Sequence, residues 1–166
     1  MTRVLLVALM LCAISACTTT HGTQAVNDFG RWQQMHAGVT TKPQTFELFG
    51  QPHEVRYDEA STESTWTYYH ITDRMNPSTL IPIVGLVTNG SDVDVTRAEF
   101  FFDANGIFLR SRREENSRYV NSYVGIADAL TPSGRVAAVE REMQLLGLPF
   151  DRRVAQDTAA WADIAN

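Results

Sequence analysis

Ala98-Glu99-Phe100-Phe101-Phe102-Asp103-Ala104-Asn105-Gly106 is the stretch that decides the fold. Ala98, Phe100 and Phe102 fall at every second position, so they share one face of an extended strand running from Val93 to Phe102. Asp103-Ala104-Asn105-Gly106 supplies turn formers, and Ile107 to Arg112 returns as a further extended segment. The pair reads as an antiparallel hairpin. Upstream, Thr65-Trp66-Thr67-Tyr68-Tyr69-His70-Ile71 alternates in the same way, with Trp66, Tyr68 and His70 on one face. Val55 to Tyr57 is a shorter run of strand character, and Glu59 to Ser64 between them is polar and turn-like.

Before these strands the period changes to that of a helix. Thr41-Lys42-Pro43-Gln44 fits a capping box, in which the Thr41 hydroxyl accepts an orphan amide and Gln44 reaches back. Pro43 is tolerated in a first turn. Phe46, Leu48 and Phe49 would form the buried face, Gly50 ends the helix and Pro52 forbids its continuation. A shorter amphipathic helix is expected from Asp28 to Gly38 on the spacing of Phe29, Trp32 and Met35 or His36. Near the C-terminus, Val136, Val139, Met143 and Leu146 follow helical spacing, stopped by Gly147 and Pro149. A weaker helix is expected to carry Val154, Thr158, Trp161 and Ile164.

The N-terminus has the layout of an export signal: a charged start at Arg3, an apolar stretch from Val4 to Ala13, then small residues. That stretch is too short to span a bilayer, which takes about 20 helical residues. Ile14-Ser15-Ala16-Cys17 resembles the lipobox of bacterial lipoproteins, in which the cysteine becomes the first residue and is diacylated on sulfur. The resemblance implies lipid attachment at Cys17, and two or more acyl chains anchor a protein stably where one does not. Thr18, in place of an aspartate, implies the outer membrane, facing the periplasm. The expected organisation is a signal over residues 1–16, a polar tether over 17–27, an α+β domain over 28–115 and a helical extension over 116–166.

Composition narrows the partners. The chain has 166 residues and a net charge of −5; without residues 1–16, which hold Arg3, 13 basic side chains face 19 acidic ones. Nucleic-acid surfaces need clustered Lys and Arg, so no nucleic-acid partner is expected. Cys12 lies in the signal and Cys17 carries the lipid, which leaves no disulfide for the domain. Its core must come from side chains such as Trp32, Trp66 and the eight Phe.

In order, these elements resemble the SmpA/OmlA/BamE-like outer-membrane lipoproteins. The elements that match are Gly38-Val39-Thr40-Thr41, Phe46 to Pro52, Trp66-Thr67-Tyr68, and Phe100 through Gly106, so the likeness covers residues 28–113. Thr45 departs from it, standing where the family usually has a branched apolar residue, and so do the insertion 76–90 and the tail after Glu115. The resemblance implies two helices on one face of a small antiparallel sheet and no catalytic centre; its best-known member is an accessory subunit of the machine that folds β-barrels into the outer membrane. The expected fold class is therefore α+β, with two N-terminal helices on a sheet of about three strands and a helical C-terminal extension.

No catalytic, cofactor or metal residue is expected. Gly-x-Ser-x-Gly is absent, and His21, His36, His53 and His70 lack the close spacing of a zinc site. Asp103 to Gly106 resembles the opening of a calcium loop, but a turn explains all four residues. Arg110, Arg112 and Arg113 are followed by Glu114 and Glu115 and read as a self-compensating face. Leu80, Ile81, Ile83, Val84, Leu86 and Val87 form an apolar run in which Pro82 and Gly85 both weaken a regular strand. It is either an irregular core piece or a contact loop for a membrane or partner. The expected function is a non-enzymatic scaffold or binding component in outer-membrane (β-barrel) assembly or envelope maintenance. The alternative is a periplasmic inhibitor or ligand-binding module that uses the sheet face.

Overall fold

A computed structural model of the chain describes residues 18–75, 90–121 and 133–156. In chain order these residues form β1 (Thr18–Gly22), a 3-10 turn (Gln24–Asn27), α1 (Phe29–Trp32), α2 (Lys42–Phe49), β2 (Glu54–Tyr57), β3 (Ser64–Met75), β4 (Gly90–Phe102), β5 (Phe108–Asn121) and α3 (Ser133–Leu146). A last helical turn covers 152–156. The strands make one antiparallel sheet in the order β1-β3-β4-β5, with β2 also paired to β3.

The hairpin that the sequence predicts is present, with its turn closed by Asp103. The Asp103 carboxylate accepts from the amides of Asn105 (2.9 Å) and Ile107 (2.8 Å), and Gly106 takes a φ of +76°, where a side chain would be strained. Ala98, Phe100 and Phe102 are fully buried opposite Tyr68, Trp66 and Ser64. The helices cover this face. Trp32 packs on Phe100 at 4.9 Å between ring centroids, Phe49 on Phe100 at 4.7 Å, and Val139 and Met143 of α3 join the same cluster.

The capping box of α2 forms as read: the Thr41 hydroxyl accepts from the Gln44 amide, and the Gln44 side chain accepts from the Thr41 amide at 2.8 Å. Its buried face is Lys42, Thr45 and Phe49, with Phe46 and Leu48 only half-buried. Thr45 sits in the core because its hydroxyl donates to the Thr41 carbonyl at 3.0 Å, so no polar atom is stranded there.

Four expectations need correction. The sheet has five strands rather than about three, because β1 and β2 line up in tandem along the free edge of β3. Within the expected tether, residues 18–22 pair antiparallel with β3, from Thr18 opposite Arg74 to Gly22 opposite His70, and Val26 is fully buried; polar composition hid a strand whose hydrogen bonds come from β3. The first helix is a single turn that leaves Phe29 exposed. It stops because residues 36–40 turn away to bond β5, with Gly38 N donating to Phe108 O (2.8 Å) and Phe108 N to Thr40 O (2.7 Å). The boundary at 115/116 falls inside β5; the helical C-terminal region is present as α3, and its Val139 and Met143 join the main core.

Burial is also two-sided. Tyr69, Ile71, Val93 and Val95 form a second buried cluster on the opposite face, which the one-face reading of these strands did not anticipate. Where β1 ends and β2 has yet to begin, the edge of β3 is completed by other groups. Thr23 N donates to Tyr69 O at 2.9 Å, and Tyr69 N donates to Nδ1 of the buried His53 at 2.8 Å. An imidazole nitrogen thus stands in for a carbonyl in the ladder.

Candidate functional site

Ionisable side chains converge at one buried point, where α2, α3 and the sheet meet. Glu142 projects from α3 between the core residues Val139 and Met143, and its Oε1 lies 2.5 Å from Lys42 Nζ. Trp66 Nε1 donates to the same oxygen at 3.0 Å, and the Tyr57 hydroxyl donates to Oε2. Lys42 also lies over the rings of Tyr57, Trp66 and Phe102, each within 6 Å. Burial alone would raise the Glu142 carboxyl, but the hydrogen bonds from Lys42 and Tyr57, the Lys42 charge and the Trp66 bond outweigh it and hold the group below its usual range. Burial, and then the bond it gives Glu142, pushes the Tyr57 hydroxyl up, so it remains a donor.

This arrangement is closed: each charge is matched and each donor named above has an acceptor. It fastens α3 to the N-terminal half, joining residues a hundred positions apart. The sequence reading passed over Lys42, Tyr57 and Glu142. The available signal was a lone glutamate on the inward stripe of α3, which needs a buried cation to be tolerated there.

A second polar cluster lies on the opposite sheet face. Glu99 Oε1 takes Arg56 at 2.8 Å and Arg97 at 2.6 Å, and the Tyr69 hydroxyl reaches Glu54 at 3.3 Å. Burial first, then the Glu54 charge, pushes the Tyr69 hydroxyl up to about 12. The arginines singled out from the sequence are distributed rather than pooled. Arg110 stacks 4.2 Å from the Phe101 centroid and pairs with Glu63, Arg112 pairs with Glu114, and Arg113 with Glu115 at 2.5 Å. The histidines are equally scattered over β1, the 36–40 segment, the β2 entry and β3, and among the described residues no group of three or more His, Cys, Asp or Glu converges as metal ligands.

Cys17 and the run Leu80, Ile81, Ile83, Val84, Leu86 and Val87 lie outside the described residues. The strand register nevertheless places their neighbours. Thr18 is opposite Arg74, Met75 is opposite Ser91, and Gly90 is opposite Asn121. The chain therefore enters β1, leaves β3 and enters β4 at the same end of the sheet. Among the described residues no helix is long and apolar enough to cross a membrane.

A cleft with an apolar wall lies at a sheet edge. Val26, Asn27, Phe29 and Trp32 line one side and Ser111 and Arg113 of β5 the other, around a volume of about 350 Å³. A shallower hollow of about 260 Å³ lies among Gln34, His36, Val39, Thr40, Gln44 and Leu48. Comparison of the chain with protein-family models, with curated proteins and with solved structures finds no match.

Proposed function

We propose that this chain is a non-enzymatic lipoprotein of the outer membrane, anchored through Cys17, facing the periplasm and acting as a binding or scaffold component in outer-membrane assembly or envelope maintenance. Its likeness to the SmpA/OmlA/BamE-like lipoproteins belongs to the same proposal. The observation that carries the reading is the sheet end at Thr18. β1 starts one residue after Cys17 and is paired to β3 from its first residue, so a lipid on Cys17 holds that end of the sheet against the bilayer with no slack. Residues 76–89 connect β3 and β4 at the same end, which supports assigning their apolar run to the membrane interface or a partner beside it.

Mass spectrometry of the mature N-terminus tests the anchor, with a diacylated Cys17 expected and an unmodified start at any other residue refuting it. A cross-linked pull-down from solubilised membranes tests the role. Barrel-assembly subunits are the expected catch; a soluble periplasmic enzyme in their place favours the inhibitor or ligand-binding alternative.

A further inference from the structure

We infer that the outer edge of β5, with the cleft it forms against α1, binds an extended peptide of a partner protein by antiparallel strand addition. The peptide carries an apolar side chain over Phe29 and Trp32 and a carboxylate two residues away against Arg113. β5 is 14 residues long and closes the sheet on one side, and among the described residues no strand pairs with its outer edge. Phe108 shows which way that edge faces, because both its backbone groups bond outward to Gly38 and Thr40. Ser111, Arg113, Glu115 and Ser117 lie on the same sheet face as Phe108, opposite Phe100, Ala98, Thr96 and Asp94. Residues on one face of a strand direct their N–H and C=O groups the same way. Beyond Phe108, then, these four present a row of outward donors and acceptors that another extended backbone can pair in series.

The side chains select among such strands. Phe29 is 74% exposed and offers its ring to an apolar side chain. It stands beside the half-buried Trp32 in the cleft wall, so a strand added to β5 would place alternate side chains into this space. Arg113 borders the cleft and is held at its mouth by Asn27 Oδ1 at 3.2 Å and by Glu115, itself an exposed group that a peptide carboxylate can displace. An apolar residue and an acidic one, two apart on a single strand face, match this lining. The inference rests on the binding role proposed above, but not on the lipid anchor.

The test uses the full chain in detergent micelles and a fluorescein-labelled nonapeptide of threonines, with leucine and aspartate two residues apart on one face. Saturable binding by fluorescence anisotropy is expected. N-methylation of the alternate amides that would bond β5 keeps every side chain and should abolish binding. Glu115→Pro removes an outward amide without touching the β4–β5 ladder, so against Glu115→Gln, which frees Arg113 equally, its melt should match while affinity falls by about tenfold or more. Phe29→Ala should weaken binding comparably. Equal binding of the N-methylated peptide, or no saturable binding of the parent peptide, overturns the proposal. So does a dimer that Glu115→Pro converts to monomer, which would make the edge a seam between copies. Should Glu115→Pro fail to fold, the N-methylated peptide against the parent chain decides alone. The cross-linked pull-down from solubilised membranes separately reports on the binding role, so neither failure is mistaken for the other.

Discussion

Replacing Glu142 with leucine removes the acceptor on which the buried Lys42 and Trp66 and the more exposed Tyr57 depend. The Lys42 and Glu142 side chains are only 9% and 3% exposed, so solvent cannot take over. Breaking one partner of a buried ion pair costs ~3–5 kcal/mol, because the other charge is left uncompensated. Trp66 Nε1, fully buried, is also orphaned, and an unsatisfied buried donor costs a further ~1–3 kcal/mol. These terms share one site and do not simply add, so about 4 kcal/mol is the working figure, a fall of roughly 15 °C in Tm for a domain of this size. Lys42→Met combined with Glu142→Leu should recover the ion-pair part of the loss, since an apolar pair of similar volume avoids the desolvation of both charges, while Trp66 Nε1 stays without its acceptor. Thermal melts by circular dichroism of the four proteins in the cycle measure this. The carboxyl is depressed in the folded state, so its contribution is present above the ordinary carboxyl range near 4.5 and is lost as pH falls through the folded value. The parent should consequently lose more stability on acidification than the double variant. A Glu142→Leu protein that melts within two or three degrees of the parent, by about the margin of a surface change, refutes the reasoning.

Trp66→Ala and Phe102→Ala each empty a fully buried ring site and should cost about 3–5 kcal/mol by denaturant titration. Val26→Asp tests the fold of residues 18–27: as a fully buried core residue it should prevent folding or lower the melt by many degrees, whereas a residue in a free tether would change nothing. His53→Leu strands the Tyr69 amide and should destabilise by ~1–3 kcal/mol, while His53→Asn, which keeps an acceptor near Nδ1, should retain most of the stability in the same assay. His70 has its pKa lowered by burial, so the unfolded chain binds its proton first and stability should decline as pH drops below about 6.5; His70→Gln should flatten that part of a Tm-versus-pH curve.

Much of the fold was legible because local chemistry and tertiary demand agree along the hairpin and α2. Alternating Ala98, Phe100 and Phe102 match the pleat, Asp103 and Gly106 meet the needs of the turn, and Thr41 with Gln44 satisfy the orphan amides of a helix start. Elements whose bonds come from elsewhere were misread. Thr18–Gly22 carries no alternation of its own and becomes a strand only because β3 offers an unpaired edge. Phe29, Trp32 and Met35 have helical spacing, but the pull of β5 on Gly38 and Thr40 ends the helix after one turn.

By itself, then, the sequence determined the antiparallel hairpin, the capped helix and the stop at Gly147, since each depends on neighbours within a few positions. Only the tertiary structure decided that Lys42 and Glu142 meet, that His53 completes a ladder, and that β5 is the last strand of the sheet among the described residues. The reason is range: a charge is tolerable in a core only through a partner a hundred residues away, and a strand is last only by virtue of how the others pair. Neither condition leaves a local period in the chain.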